Sequence, residues 1–333
     1  MMEVTRLWLD INASAKKAWQ ALLTQAGLVA DEQVDYTVGI YDQGQLIATG
    51  STYQNIIKLV AVADTAKHNN LLAKITGALL ERLTADRFEQ AYVYTKPCTA
   101  TYFKALGFKA IAETTHICLL ERGYPDIETF QAKLKRAKRP SQQAGAIVMN
   151  ANPFTNGHRY LVQQALQTCD VLYVLVVSED RSLFDTAARL KMVQAGVADL
   201  KNVVVLTTDH YLVSNATFPS YFLKDQADLK VAAEQAQLDA QVFLQRVAPV
   251  LDLKHRFVGS EPNSAVTAVY NDQMAQAFAG HLQLTVIDRL TENQQPVSAT
   301  TVRQALKRDD WETVQQLVPT STFKNLRSVN HDS

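Results

Sequence analysis

The stretch Gly145-Ala-Ile-Val-Met-Asn-Ala-Asn-Pro-Phe-Thr-Asn-Gly-His158 decides the fold of the second part of this chain. It begins with a short apolar run, Ala146 to Met149, which predicts a buried parallel strand. A loop rich in Asn and Pro follows, and Gly157-His158 opens a helical pattern. A strand, a tight loop and a helix N-terminus present unpaired backbone N–H groups and the positive end of the helix dipole to an anion. The sequence therefore predicts an anion-binding helix start.

Two residues at this predicted helix start have properties that suit a nucleotide. Gly157 lacks a Cβ atom, so a flat base or a phosphate group can approach its backbone closely. His158 lies in the first turn, where its ring can donate a hydrogen bond to a phosphate oxygen. The alternative is a plain helix cap followed by a surface histidine. A second motif downstream favours the functional interpretation.

Length and composition predict two globular domains in the cytoplasm. The 333 residues carry no formal net charge, and 47% of them are hydrophobic, enough for two ordinary cores. Neutrality argues against nucleic acid or an anionic membrane as the main partner. The beginning, Met-Met-Glu-Val-Thr-Arg, lacks the pattern of a secretory signal, and no apolar run has membrane-spanning length. Cys98, Cys118 and Cys169 form neither a CxxC nor a metal-binding pattern, which predicts buried free thiols in a reducing cytosol.

Residues 1–125 are predicted to form a small α/β domain. Hydrophobic spacing predicts two helices, at residues 15–28 and 71–83, and four strands, at residues 38–41, 46–49, 55–62 and 91–94. The stretch Tyr102-Phe-Lys-Ala-Leu-Gly-Phe108 follows the last of these strands. This order, with its Tyr-Phe-x-x-x-Gly-Phe ending, resembles the acetyl-CoA-dependent N-acetyltransferase (GNAT) fold.

The acetyltransferase resemblance stops at the loop that should hold the cofactor. That family binds the pyrophosphate of acetyl-CoA with a Gly-rich loop before its central helix, and this chain has Lys67-His-Asn-Asn-Leu-Leu72 in that place. Its two asparagine side chains are expected to restrict the positive φ values that such a loop needs, and its leucines to add apolar bulk. Its lysine and histidine can still attract a phosphate. We therefore expect a docking or scaffold domain, with N-acetyltransferase activity as the alternative.

Residues 126–144 are predicted to be a basic helical linker. Helical spacing covers residues 127–137, and Pro140 stops the pattern. The basic residues of this segment are Lys133, Lys135, Arg136, Lys138 and Arg139. They form either a solvated helix face or a contact surface for an acidic partner.

From residue 145 to residue 333 the chain alternates strands and helices, as a doubly wound parallel sheet requires. After the strand at residues 146–149, the apolar runs predict further strands at residues 171–177, 202–206, 256–258 and 284–287. Helices are predicted from Gly157, around residues 189–193, at about residues 218–247, and at residues 300–306. This part of the chain is therefore expected to form the catalytic domain.

A second phosphate-binding motif occurs near the end of the chain, at Val297-Ser-Ala-Thr-Thr-Val-Arg303. Small hydroxyl residues at a helix start can bind a phosphate without crowding it, and Arg303, one turn further, can reach the same oxygens. Phe184 and Arg189 mark another loop-to-helix element. This element resembles one of the nucleotidylyltransferases, in which the basic residue approaches a phosphate. The alternative is a hydrophobic staple at the helix N-terminus with an exposed Arg189.

These stretches resemble the nucleotidylyltransferase superfamily, and more specifically the citrate lyase ligase family. The resemblance covers nearly the whole chain. It is carried by the four stretches Met149-Asn-x-Asn-Pro-Phe-Thr-Asn-Gly-His-Arg-Tyr-Leu161, Ala216-Thr-Phe-Pro219, His255-Arg-Phe-Val-Gly-x-Glu-Pro262 and Val297-Ser-Ala-x-x-Val-Arg-Gln304. The family activates acetate with ATP and loads the acetyl group onto the thiol of a dephospho-CoA-derived prosthetic group on the acyl-carrier subunit of citrate lyase. The resemblance implies ATP and Mg²⁺ as cofactors and this carrier and acetate as partners.

The resemblance also implies the site residues. Catalytic roles are implied for His158, Arg303 and Thr155. Nucleotide contacts are implied for Met149, Asn150, Asn152, Pro153, Phe154, Gly157, Arg189, Gly259, Glu261, Ser298 and Thr300. Thr155 stands where the superfamily commonly has its first histidine. It can bond a phosphate oxygen but carries no positive charge, so we expect that charge from Arg303, Arg189 and the metal ion, which has no protein ligands of its own.

Three questions stay open at the level of sequence. The base that deprotonates the carrier thiol is either His210 or His255, unless both are structural histidines. An adenylyltransferase of pantetheine- or nicotinamide-type cofactor synthesis shares both phosphate motifs and is the alternative function. A non-catalytic binding module is the third possibility.

Overall fold

The computed structural model describes residues 2–31, 33–66, 70–180, 182–214, 217, 228–260, 265–292 and 295–331. The chain divides into two compact units, Met1–Asp126 and Ile127–Ser333. Within the described residues, no helix is both long enough and apolar enough to cross a membrane.

The first unit is built on one mixed sheet. Its strands are β1 (Val4–Arg6), β2 (Tyr36–Asp42), β3 (Gln45–Tyr53), β4 (Ile56–Val62), β5 (Gln90–Thr95), β6 (Lys109–Glu113) and β7 (Cys118–Gly123), in the order β1-β2-β3-β4-β5-β7-β6. Only β4 and β5 pair in parallel, and the other neighbours are antiparallel. The predicted hairpin is β2–β3, whereas β1, β6 and β7 were not predicted.

Three helices accompany this sheet: α1 (Ala13–Gln25), α2 (Leu71–Ala85) and α3 (Ala100–Ala105). Helix α1 begins at Asn12, whose side chain accepts a hydrogen bond from the Ala15 backbone N–H at 3.0 Å. Helix α2 buries Ile75 and Leu79 completely against the sheet. The helices and strands that were predicted occur in the predicted order, and the α/β class is confirmed.

The loop before α2 differs in part from the expectation. Its first residues, Lys67 to Asn69, lie outside the described part of the chain. Asn70 has a φ of +53°, so the expected restriction on positive φ is wrong at that position, because asparagine tolerates the left-handed region. Leu71 is buried in the core and adds no bulk to the loop surface.

The second unit is built on a five-stranded sheet. Its strands are β8 (Ala144–Met149), β9 (Val171–Val176), β10 (Val203–Thr207), β11 (Leu253–Gly259) and β12 (Gln283–Ile287), in the order β10-β9-β8-β11-β12. All four pairings are parallel, as predicted. The strand order reverses between β8 and β11. A crevice for a ligand is therefore expected at the carboxyl ends of these two strands. A short hairpin, β13 (Thr291–Glu292) with β14 (Gln295–Pro296), follows the sheet.

The helices of the second unit lie before, between and after these strands in the sequence. They are α4 (Ile127–Ala137), α5 (Asn156–Ala165), α6 (Thr186–Gly196), α7 (Leu229–Val242), α8 (Ala248–Leu251), α9 (Ala265–Phe278), α10 (Ala299–Lys307), α11 (Trp311–Leu317) and α12 (Thr320–His331), with a π-helical turn at Phe243–Val247. The sequence did not predict α9, α11 and α12. The buried residues Val314 of α11 and Leu326 of α12 join the core that includes Phe154 and Phe257.

The segment predicted as a linker packs within the second unit. Helix α4 buries Ile127, Phe130 and Leu134, and the Phe130 ring stacks on Tyr211 with centroids 5.1 Å apart. Lys133 donates to Asp209 at 2.6 Å. Another ion pair joins Lys138 to Asp252. Three of the five basic side chains therefore remain as an exposed group, Lys135, Arg136 and Arg139, which we name the α4 basic surface.

Two of the three cysteines are buried as expected. Burial raises the pKa of the Cys118 and Cys169 thiols to about 11, so both stay protonated at neutral pH. Cys98 is exposed, and the expectation of a buried thiol is wrong there, because it lies in a short surface turn before α3.

Candidate nucleotide-binding site

The first motif forms the turn between β8 and α5. Strand β8 ends at Met149, and the loop residues 150–155 lead directly into the helix. Met149, Pro153 and Phe154 are buried, so they pack beneath the turn rather than at its surface. Gly196 on α6 makes room for Phe154, since a Cβ there would lie 2.4 Å from the phenyl ring. These three expected nucleotide contacts therefore act as packing residues in this structure.

Thr155 and His158 form a reciprocal cap at the start of α5. The His158 backbone N–H donates to Thr155 Oγ1 at 3.3 Å, and the Thr155 backbone N–H donates to His158 Nδ1 at 3.0 Å. Thr155 Oγ1 also lies 2.9 Å from Nδ1. Only 1% of Thr155 is exposed, so the expected direct bond from its hydroxyl to a phosphate is wrong for this conformation. Its hydroxyl positions His158 instead.

The cap fixes the tautomer of His158. A backbone N–H can only donate, so Nδ1 accepts, and the hydrogen of the neutral ring is on Nε2. Burial, followed by the positive charges of Arg289 and Arg303, lowers the pKa of His158 to about 4. The ring stacks on Phe154 with centroids 5.7 Å apart. His158 is therefore a neutral, oriented hydrogen-bond donor at neutral pH.

The two motifs contact each other through Gly157. A Cβ built on Gly157 would lie 3.0 Å from the carbonyl oxygen of Val297, so no larger residue fits without displacement. Val297 precedes Ser298, whose Oγ caps α10 by accepting from the Thr301 backbone N–H at 3.1 Å. The N-termini of α5 and α10 thus lie side by side, and their orphan N–H groups and dipoles combine.

Arg303 connects the second motif to the first loop. Its guanidinium donates to the carbonyl oxygen of Asn152 at 2.6 Å and to Thr300 Oγ1 at 2.9 Å. Arg303 is partly buried, while Thr300 is exposed. Asn152 also accepts from the Phe184 backbone N–H through its side chain, at 3.2 Å. Arg303 is thereby held at the crevice, and Thr300 supports it.

Arg189 does not approach a phosphate, and it is not an exposed residue either. It is completely buried, and its guanidinium donates to protein acceptors through all three nitrogens. The acceptors are the carbonyl oxygens of Phe184, Asn150, Val177 and Glu179, and the side chains of Asn150 and Thr186. Both expectations for Arg189 are wrong because unpaired carbonyl groups at this strand edge require a buried donor. Arg189 is the anchor of the loops beside the site.

For the remaining predicted nucleotide-binding residues the structure gives fewer contacts. Asn150 bonds Ser182 in addition to Arg189, with its Nδ2 at 3.0 Å from the serine oxygen. Gly259 ends β11, and no atom of the described residues lies within 4 Å of a Cβ built on it. Glu261 lies outside the described residues, as do Ala216, Phe218 and Pro219 of the family motif.

Arg289 is a residue of the site that the sequence did not identify. Its Nε donates to the carbonyl oxygen of Ser260 at 2.7 Å, and its charge acts on His158. The sequence could have indicated this residue, because Arg289 is a basic residue shortly after the last predicted strand and before the second motif.

The two candidate bases have different positions. His255 lies in the first half of β11, beside Gly145, and its Nε2 contacts Gln143 Oε1 at 2.9 Å. This is the end of the sheet opposite the carboxyl edge, so of the two alternatives for His255 the structure favours a structural histidine over the base. His210 is exposed in the loop after β10, at the carboxyl edge of the sheet.

Two adjoining helix N-termini at the switch point of a parallel sheet, with a neutral histidine and an arginine, define a nucleotide-binding domain of the nucleotidylyltransferase class. The sequence is more specific still. The profile of the citrate lyase ligase C-terminal domain matches residues 144–326, and the chain belongs to the citrate lyase ligase family.

Three relatives carry the name [Citrate [pro-3S]-lyase] ligase. The protein of Haemophilus influenzae is 36% identical over 92% of this chain and 94% of its own length. That of Escherichia coli is 34% identical over 92% of this chain and 89% of its own length. That of Klebsiella pneumoniae is 34% identical over 97% of this chain and 96% of its own length. The similarity therefore includes both units.

Solved structures resemble single parts of the chain. Thermotoga maritima TmcAL bound with alpha-thio ATP is 16% identical, covers 57% of this chain and 56% of its own, and has a TM-score of 0.36. An acyl-CoA N-acyltransferase from Pseudomonas aeruginosa is 16% identical, covers 36% of this chain and 97% of its own, and has a TM-score of 0.31. The relatives in sequence, rather than these structures, decide the family.

Proposed function

We propose that the protein is an acid–thiol ligase that activates citrate lyase by acetylating its acyl-carrier subunit at the expense of ATP. The observation that supports this most strongly is the similarity to ligases of this name over more than nine tenths of the chain, through both units. The acceptor is the thiol of the prosthetic group on the carrier, which the family resemblance identifies as derived from dephospho-CoA.

In the first step, an oxygen of acetate attacks the α-phosphorus of ATP. A new P–O bond forms, the bond to the β-phosphate oxygen breaks, and pyrophosphate leaves with acetyl-AMP remaining. Acetate is already an anion at neutral pH, so the step needs no general base. The step needs the reactants to be aligned. It also needs hydrogen-bond donors that stabilise the negative charge on the phosphoryl oxygens and on the leaving group.

The residues of the site suit these needs. His158 is neutral and offers its Nε2–H as a hydrogen-bond donor. The backbone N–H groups at the starts of α5 and α10 are oriented by their helices. Arg303 supplies positive charge next to the first loop. Mg²⁺ enters as the complex with ATP. Among the described residues, no cluster of three or more His, Cys, Asp or Glu side chains is arranged to hold a metal ion.

In the second step, the carrier thiolate attacks the carbonyl carbon of acetyl-AMP. The C–S bond forms, the C–O bond to the phosphate breaks, and AMP leaves as a weakly basic phosphate. Most pantetheine-type thiols are protonated at neutral pH, so a base accelerates this step. His210 is the candidate for that base, because it is exposed at the carboxyl edge of the same sheet.

The reaction is tested by exchange of labelled pyrophosphate into ATP. With Mg²⁺ and acetate the exchange should proceed without the carrier, because acetyl-AMP formation is reversible on the enzyme. Net release of AMP should require the deacetylated carrier. His158→Ala should lower the exchange rate by about 10²–10³-fold, as for other lost charge-stabilising donors. An exchange rate that does not depend on acetate but requires a phosphorylated pantetheine compound would instead identify an adenylyltransferase.

A further inference from the structure

We propose that Arg289 binds the phosphate groups of ATP as a third donor beside His158 and Arg303. The inference deepens the proposed function, and it depends on ATP binding but not on the identity of the acceptor.

The backbone around Arg289 holds it at the carboxyl edge of the sheet. Strand β12 ends at Ile287, whose carbonyl oxygen accepts from the Ser260 backbone N–H at 2.8 Å. Arg289 Nε then donates to the Ser260 carbonyl oxygen at 2.7 Å. Two successive hydrogen bonds thus join the residues that follow β11 and β12. They fix the direction of the guanidinium plane on the edge where the nucleotide crevice opens.

Arg289 is also a close neighbour of the second motif. The Val297 backbone N–H donates to the Leu290 carbonyl oxygen at 2.9 Å, which continues the β13–β14 pairing by one step. Val297 is the residue that contacts Gly157. Arg289 and Ser298 flank this bonded pair, Leu290 and Val297. Arg289 therefore belongs to the segment that lies beside the start of α5.

The charges around this point indicate an anionic ligand. Helix N-termini are positive and usually carry acidic residues in their first turn. The first turns of α5 and α10 contain no acidic residue. The structure places Arg303 and Arg289 there instead, and the charges of both lower the pKa of His158. Positive side chains beside two positive helix ends suit an anionic ligand, and the triphosphate of ATP is such an anion.

The test measures ATP binding to the full chain by calorimetry, without acetate or carrier. Arg289→Ala should weaken ATP binding by about 10–100-fold, in the range of lost hydrogen bonds to charged groups. Arg289→Lys should restore part of it, because it keeps the charge but not the forked geometry. Adenosine, which has no phosphate, should bind both forms equally. Arg308→Ala is the matched control, since Arg308 is exposed at the far end of α10.

A second measurement keeps the proposal testable if the alanine variant fails to fold. Arg289→Gln retains an N–H donor for Ser260 and removes only the charge. In this variant ATP binding should weaken while adenosine binding stays unchanged, because only the charge that faces the triphosphate is lost. ATP binding reduced no more than in Arg308→Ala, or equal losses of ATP and adenosine binding, would each overturn the proposal. A wild-type protein that binds ATP but shows no acetate-dependent exchange would refute the proposed function alone.

Discussion

The carbonyl oxygen of Val297 lies 3.0 Å from the position that a Cβ on Gly157 would occupy. The two residues are 140 positions apart in sequence, and each belongs to one of the phosphate motifs. Their contact brings the starts of α5 and α10 together. The absence of a side chain at Gly157 is therefore a requirement of the site as well as of the helix start.

Gly157→Ala should separate the two motifs. The added methyl group meets a backbone oxygen, which can yield only if the segment before α10 moves by a few tenths of an ångström. Because misplacement of about 1 Å can cost roughly 100-fold in rate, we expect kcat/KM for ATP to fall by about 10-fold or more. Steady-state pyrophosphate exchange measures the effect.

The matched control is Gly77→Ala in α2 of the first unit. In the part of the chain that the structure describes, nothing lies within 4 Å of a Cβ built there, and alanine suits a helix interior better than glycine. This variant should keep full exchange activity and gain up to about 1 kcal/mol of stability. Full activity in Gly157→Ala would show that the contact with Val297 is dispensable.

Thr155 should act through His158 rather than on the substrate. Thr155→Ser keeps the hydroxyl that contacts both the backbone N–H and Nδ1 of His158, and should retain most activity. Thr155→Ala removes it, should cost about 1 kcal/mol of stability as a lost helix cap, and should lower kcat. Chemical denaturation and exchange kinetics measure the two effects. Equal kinetics of the serine and alanine variants would refute a positioning role.

The stability of the protein should carry the signature of a neutral His158. The folded pKa is about 4 and the unfolded value is 6.5, so below pH 6.5 the unfolded chain takes up a proton that the folded chain does not. Stability therefore falls as the pH decreases from 6.5 toward 4. Between pH 7 and pH 4.5 the wild type should lose about 2–3 kcal/mol more than His158→Asn, measured by urea denaturation. Parallel losses in both proteins would mean that the pKa is not lowered.

Substitution of Arg189 should damage the fold rather than phosphate binding alone. Arg189→Met leaves several buried carbonyl groups without a donor, each worth about 1–3 kcal/mol, so the second unit should lose roughly 3–5 kcal/mol or fail to fold. Lys191→Met, at an exposed position on the same helix, should change stability by less than about 0.5 kcal/mol. A stable Arg189→Met protein with weak ATP binding would favour the phosphate role instead.

The α4 basic surface is predicted to attract the carrier subunit. Reversing the charges of Lys135, Arg136 and Arg139 should raise KM for the carrier and reduce its salt dependence, while KM for acetate stays unchanged. Lys133 and Lys138 are left intact because they pair with Asp209 and Asp252.

Charge reversal at three exposed lysines elsewhere on the second unit provides the control: Lys201, Lys254 and Lys324. It changes the net charge by the same amount without touching α4. If both triple variants raise KM for the carrier equally, only overall charge matters. If neither does, the α4 basic surface is a solvated helix face and the docking surface lies elsewhere.

The sequence by itself determined the elements that have a strong local pattern. The helix at Ile127–Ala137 has the predicted bounds, and the buried strand at Val171–Val176 differs from its prediction by one residue. Both phosphate motifs lie at helix starts. This agrees with the prediction made from Gly157 in the first motif and from the hydroxyl residue Ser298 in the second. Local patterns suffice here because hydrophobic period and cap chemistry act within a few residues. Strands β6 and β7, with weaker patterns, were missed.

Only the tertiary structure decided what individual polar side chains contact. Arg189 is an anchor in the core, Thr155 lies behind His158, His255 is at the far end of its strand, and Arg289 joins the site from outside both motifs. A charged or hydroxyl residue has the same local pattern whether it faces a ligand or a buried carbonyl group. Which of these it meets depends on chain segments far away in sequence, and the free energy of satisfying buried polar groups is fixed only when those segments pack together.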